Sequence, residues 1–178
     1  RCRGAPQGAG MITRAFIGLG ANLGDRLASL QGAVERFSSE GIEVKAVSSL
    51  YETAPIGMKP ETPAFLNAVV EVATVLTARL PLERLLEIEA KLGRRRPEPD
   101  RLIDLDILLF GDTTLSEPDL VVPHPRLGQR AFALVPLAEL APGLQLPWGE
   151  TVAEAAARTL AEGQKLRVFQ GQYWWQEE

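Results

Sequence analysis

The sequence predicts an α+β fold: one antiparallel sheet with helices on its faces. Three observations predict it. Short β-type runs and helical stretches alternate in the order strand, helix, strand, strand, helix, strand. No internal repeat, low-complexity tract or linker divides the chain. A length of 178 residues, 46% of them hydrophobic, suits one domain around one core.

The elements follow in order. Arg14–Leu19 is a β-type run that reads as ending at a glycine-rich turn, Gly18-Leu19-Gly20-Ala21-Asn22-Leu23-Gly24. Leu27, Leu30, Val34 and Phe37 then recur at helical spacing, which predicts a helix from about Asp25 to Ser39. Ile42–Tyr51 reads as one strand, and Thr53–Pro63, with Pro55, Gly57, Pro60 and Pro63, as a loop. Phe65–Leu76 is a second long strand, expected antiparallel to the first. Pro81 suits the first turn of a helix that carries Leu82, Leu85, Leu86, Ile88 and Leu92 and stops at Gly93. A basic, proline-containing loop, Arg94–Arg101, leads into the strongly apolar strand Leu102–Phe110. Helical stretches are expected over Leu127–Leu140 and Thr151–Ala161, and a last edge strand within Lys165–Trp175. The core order is that of a ferredoxin-like βαββαβ arrangement, a fold that by itself says little about chemistry. Residues 1–10 read as a disordered N-terminal arm or a non-native start, with Met11 an alternative beginning and 11–178 a single domain.

Composition narrows the function classes. A net charge of −4 gives no global attraction to nucleic acid or to anionic lipid. No apolar run approaches the ~20 residues of a membrane span, and the first ten residues lack the apolar segment of a signal peptide. Cys2 is the only cysteine, which excludes an intramolecular disulfide and a cysteine-based metal site. The expectation is a cytoplasmic protein, a monomer or weak homodimer, with small-molecule substrates and no nucleic-acid or membrane partner.

The most informative segment is Ile103-Asp104-Leu105-Asp106-Ile107-Leu108-Leu109-Phe110. Residues two apart on a strand share a face, so Asp104 and Asp106 project together. A half-buried strand with a polar outer face would continue polar at Leu108 and Phe110, and it does not. The reading is a central strand buried on both sides, with two carboxylates near its start. Such a pair repels unless a cation neutralises it, and hard oxygen ligands suit Mg²⁺, which takes one or two carboxylates plus phosphate oxygens. Arg94, Arg95, Arg96 and Arg101 precede the pair; His124, Arg126 and Arg130 follow it. Guanidinium groups grip phosphate oxygens in bidentate fashion. A charge run is ordinarily a solvated surface, but beside a metal site it fits a polyphosphate. His124, the only histidine, stands between Pro123 and Pro125; a structural hydrogen bond or one to a phosphate fits it better than a general-base role. No G-x-x-x-x-G-K-[ST] occurs, and Gly18, Gly20 and Gly24 miss the dinucleotide fingerprint by one residue, so those glycines read as a turn. A divalent-metal phosphodiesterase or nucleotidyltransferase could use the same Asp pair. An RNA-binding module would need exposed sheet aromatics in an RNP-type pattern, and this chain has few aromatics and an acidic balance.

Six landmarks in order make the chain resemble the 6-hydroxymethyl-7,8-dihydropterin pyrophosphokinase family of folate biosynthesis, over about Ala15 to Pro147. They are the Gly18–Gly24 segment; Ser48–Gly57, which includes Tyr51-Glu52-Thr53-Ala54-Pro55; Phe65-Leu66-Asn67-Ala68; Gly93-Arg94-Arg95-Arg96; Arg101 through Asp104 and Asp106 to Ile107; and Val122-Pro123-His124 followed by Arg130-Ala131-Phe132. The resemblance implies that Asp104 and Asp106 bind two Mg²⁺ ions bridging the phosphates of the co-substrate ATP. It implies that Arg94, Arg96, Arg101, His124 and Arg130 contact ATP, with Arg94 and Arg96 counted among the catalytic residues. It implies a pterin held by Asn67, Thr53, Pro55 and Ile56 between the faces of Phe65 and Phe132, aromatic walls with a few aimed polar groups being what a flat amide-bearing ring needs. The segment Arg96–Arg101 departs from the family's longer Trp-Gly-Pro-Arg loop, and Leu86 and Val121 stand where Gln and Thr are common. The Arg94–Arg101 loop is expected to order when MgATP and pterin are both present.

Overall fold

The computed structural model describes residues 12–53, 64–75, 79–91 and 103–176. The sheet is built around β1 (Thr13–Ala21), which pairs antiparallel with β4 (Phe65–Thr74) on one side and β5 (Asp104–Phe110) on the other. Beyond β4 lie β2 (Glu43–Val47) and β3 (Leu50–Thr53), both antiparallel to it, and β8 (Leu166–Gln170) closes that end against β3. The order β5-β1-β4-β3-β8, with β2 also on β4, is the ferredoxin-like arrangement extended by one strand.

Alternation along the strands gives each face its own partner. Ala15, Ile17, Leu19 and Ala21 of β1, with Leu66, Ala68, Val70 and Val72 of β4, pack against α1 (Arg26–Ser39) and α2 (Arg79–Lys91). Helix α1 starts at Asp25, whose carboxylate accepts from the Ala28 amide at 3.0 Å, and buries Leu30, Ala33, Val34 and Phe37 at the expected spacing. On the opposite face Phe16, Val69, Leu108 and Leu109 meet α3 (Ala131–Leu140) and α4 (Val152–Ala161). Glu139 ties α3 to the sheet: it accepts from the Ser49 amide and hydroxyl, the latter at 3.0 Å, and from the Tyr51 hydroxyl. Burial, reinforced by that carboxylate, drives the Tyr51 pKa upward.

Several expectations are corrected. The strand expected over Ile42–Tyr51 is two strands, broken at Ser48-Ser49. Ser48 explains why the pairing survives: its amide donates to Val69 O and its hydroxyl accepts from Val69 N, both at 2.9 Å. The stretch Leu127–Leu140 is a 3-10 turn (Leu127–Gln129) and α3, separated by an extended Arg130. Within Lys165–Trp175 only β8 is strand. Trp174 instead buries its ring in the α1-side core, and its indole N–H donates to Ser48 O at 2.8 Å.

The strand β5 is the edge of the sheet, not its centre. Two groups of its outer backbone are met by other elements: the buried Glu89 carboxylate of α2 accepts from Leu105 N at 2.7 Å, and His124 N donates to Leu108 O at 3.0 Å. The register with β1 shifts between Phe16 and Ile17, so Leu108 is an extra residue. Leu108 and Leu109 therefore both turn to the α3 side, and Phe110 joins the α1 side rather than the face of the Asp pair. Beyond β5, β6 (Leu115–Glu117) and β7 (Leu120–Val122) form a small hairpin that leads to His124. Among the described residues no helix is long and apolar enough to cross a membrane.

Candidate active site

On the α3 side the core stops short of the far end of the sheet, leaving a cavity of about 400 Å³. Its floor follows from strand register. Gly20 of β1 lies between Asn67 of β4 and Asp104 of β5; Gly18 lies between Val69 and Asp106. Gly18 and Gly20 are thus strand residues, not the turn the sequence suggested, and only Gly24, at φ 62°, turns the chain. Two missing side chains leave bare backbone between Asn67 and the half-buried carboxylates. A Cβ on Gly20 would lie 2.9 Å from Asn67 Nδ2, so the close approach requires glycine.

The wall beside β3 and β4 is polar and aromatic. The Thr53 hydroxyl donates to Asn67 Oδ1 at 2.8 Å, and both residues are buried. With its oxygen engaged, the Asn67 amide has N–H donors left over. Phe65 and, from the first turn of α3, Phe132 also line the cavity. The other end carries charge: Asp104, Asp106, His124, Arg126 and Arg130. The Arg130 guanidinium lies over the Phe132 ring at 5.3 Å from its centroid.

Burial holds His124 below the ordinary histidine pKa, and Arg130 and then Arg126 act in the same direction, against the carboxylate of Asp104. Its Nδ1 accepts from Arg126 N at 3.2 Å, which leaves Nε2 to carry the proton of the neutral ring. His124 is thereby equipped as a neutral donor.

Two carboxylates on one strand face are the metal-competent feature. Among the described residues no group of three or more His, Cys, Asp or Glu side chains could hold an ion alone. That donor set fits Mg²⁺, which keeps waters and shares phosphate oxygens with its ligand rather than requiring an all-protein cage.

Of the residues singled out from the sequence, Thr53, Phe65, Asn67, Asp104, Asp106, His124, Arg130 and Phe132 all line this one cavity. Arg94, Arg96, Arg101, Pro55 and Ile56, and with them the expected Arg94–Arg101 loop, lie outside the described residues.

The sequence model of the 7,8-dihydro-6-hydroxymethylpterin-pyrophosphokinase (HPPK) family matches residues 16–142. The chain belongs to this family. It is 48% identical over 151 residues to the 2-amino-4-hydroxy-6-hydroxymethyldihydropteridine pyrophosphokinase of Methylorubrum extorquens, covering 83% of this chain and 94% of that protein. The Pseudomonas aeruginosa protein of the same name is 40% identical over 156 residues, covering 86% and 96%. The crystal structure of wild-type Plasmodium falciparum HPPK-DHPS superposes with a TM-score of 0.69 at 16% identity, a likeness of fold. It covers 85% of this chain, which spans under half, 45%, of that longer one.

Set against the HPPK landmarks, the cavity also holds residues that sequence reasoning passed over. The glycine floor carried a readable signal, since Gly18 and Gly20 have the same two-residue spacing as the Asp pair. Gln129 and Gln164 carried none. Gln164 lies beyond the family match and reaches the site only because α4 folds back over α3.

Proposed function

We propose that this chain, read as one domain from residue 11 to 178, transfers the pyrophosphoryl group of ATP to the hydroxymethyl group of 6-hydroxymethyl-7,8-dihydropterin. The products are AMP and the pterin pyrophosphate. The observation that carries the reading is the single cavity in which two half-buried carboxylates stand across a glycine floor from the Thr53–Asn67 pair. Metal and phosphate chemistry belongs at the carboxylate end and a flat amide-bearing ring at the other.

Asn67, oriented by Thr53, hydrogen-bonds the pterin edge, and Phe65 and Phe132 flank its faces, with Pro55 and Ile56 completing the pocket. Arg130, His124, Arg94, Arg96 and Arg101 bind the triphosphate. Asp104 and Asp106 hold two Mg²⁺ ions, which when bound neutralise the phosphate charge that shifts during transfer. Held in line, the pterin hydroxymethyl oxygen forms its bond to the β-phosphorus. The bond from that phosphorus to the oxygen bridging the α-phosphate breaks, AMP leaves with that oxygen, and the hydroxyl proton passes to solvent. Alignment and charge neutralisation supply the catalysis, since phosphoryl transfer leaves little covalent work to the protein. The neutral state of His124 favours donation to a phosphate over proton abstraction. The same reading places the enzyme in the cytoplasm as a monomer or weak homodimer.

The test is release of AMP from ATP with Mg²⁺, with and without the pterin. AMP should appear only with both. Pyrophosphate release, or AMP formation independent of pterin, would instead identify a nucleotidyltransferase or phosphodiesterase using the same Asp pair.

A further inference from the structure

The chain beyond α3 contributes to the site as well as covering the sheet. Helix α4 closes with a glycine turn: Gly163, at φ +98°, donates to Leu160 O at 3.0 Å, and Gln164 N donates to Thr159 O at 3.4 Å. This left-handed step directs Gln164 to the cavity wall. Both ends of its carboxamide are engaged there. Oε1 accepts from Ala131 N at 2.8 Å, and Nε2 donates to Gln129 O at 2.7 Å.

Arg130 lies between those two residues. Its backbone is extended, at φ −120° and ψ 105°, and its own side chain does not cap α3. The N–H of the buried Ala131 is met by Gln164 instead, and leaving such a donor unmet costs more than the bond itself contributes. The preceding peptide is braced in the same way: Arg158 donates to Gly128 O at 2.8 Å while bound to Glu150 at 2.6 Å.

We propose that Gln164 is a positioning residue for the transfer reaction: by gripping the peptides on both sides of Arg130, it sets the direction in which that guanidinium enters the nucleotide end of the cavity. The proposal rests on the pyrophosphokinase reading above and adds a contribution from outside the family match.

The test is a double-mutant cycle. Gln164→Met keeps the side-chain length and removes both hydrogen bonds. It should raise the KM for MgATP roughly tenfold while moving the KM for pterin less than about twofold. Affinity for an α,β-methylene analogue of ATP, measured by calorimetry, should fall by the same factor. In an Arg130→Met background the Gln164→Met substitution should add almost nothing, because its effect passes through Arg130. Additive losses, or unchanged nucleotide affinity in a Gln164→Met protein that melts normally, would overturn the proposal. If Gln164→Met does not fold, Gln164→Ala takes its place with the same criteria. Calorimetry separates the two readings: a wild-type protein that makes no AMP refutes the pyrophosphokinase reading, whereas the nucleotide-affinity cycle reports on Gln164 directly.

Discussion

The two faces of this sheet are made by the same strands and differ in what alternate residues contribute. On the α1 and α2 side, Ala15, Ile17, Leu19 and Ala21 of β1 meet Leu30, Val34 and Phe37 in a continuous apolar layer. On the α3 and α4 side, β1 contributes Phe16 to a core and then Gly18 and Gly20 to a cavity floor. Strand parity thus separates stability from chemistry within single strands. The site is a place where packing has been withheld from one face while the other holds the backbone still.

Substitutions on the open face should damage activity and spare the fold, and those on the closed face should do the reverse. The largest effect is expected from Asp104→Asn or Asp106→Asn. On the proposed metal role, loss of one carboxylate charge should lower kcat by at least roughly a hundredfold while shifting Tm by only ~2–4 °C. Steady-state AMP release at saturating Mg²⁺ checks this; near-normal turnover in both variants would remove the metal assignment. On the closed face, Phe37→Ala empties a site that is 0% exposed. It should cost ~3–5 kcal/mol of stability by denaturant unfolding. The fraction still folded should keep wild-type KM values, and altered KM values would mean the faces are coupled.

Gly20→Ala sharpens the comparison, because it changes the open face by one methyl group. The new carbon would meet Asn67 Nδ2 at 2.9 Å, so the amide must leave its place against Thr53. The KM for pterin should rise roughly tenfold with a smaller change for ATP. Equal changes for both substrates would show that the floor, not the Asn67 amide, is what matters.

The smallest effect is the pH dependence of His124. Its pKa in the folded protein lies below the ordinary histidine value of 6.5, chiefly because burial disfavours the imidazolium. Below that value the unfolded chain binds the proton more readily than the native protein. Its contribution is therefore complete above pH 6.5 and lost as pH falls through the lowered pKa. Unfolding curves between about pH 8 and pH 5 should fall less steeply on the acid side for His124→Gln than for the parent. Identical profiles would show that the histidine is not desolvated in solution.

Most of the open face could be read from the sequence because its chemistry is local. Asp104 and Asp106 share a strand face by parity alone. The order of landmarks from Gly18 to Phe132 pointed to one family, and eight of the residues named from it line one cavity. The misreadings arose where pairing overrides pattern. Gly18 and Gly20 resemble a turn until β4 and β5 are seen to flank them. The strand β5 resembles a central strand because side chains pack on both its faces, and Glu89 and His124 bond part of its outer backbone. Strand parity breaks at Phe110 because a bulge at Leu108 reverses the faces.

The amino-acid pattern alone determined the order of the βαββαβ core, the α1 stripe, the buried Leu85 and Ile88 of α2 and the pairing of the two carboxylates. These depend on periodicities of 3.6 and 2 residues, which any stretch of chain displays without its neighbours. Only the tertiary structure decided that Asn67 looks across Gly20 to Asp104, that Trp174 fills the core beside Ser48, and that Gln164 holds the peptides around Arg130. Each of those contacts joins residues far apart in the chain or on separate strands. Nothing in the local sequence encodes such a meeting until register and packing bring the two groups together.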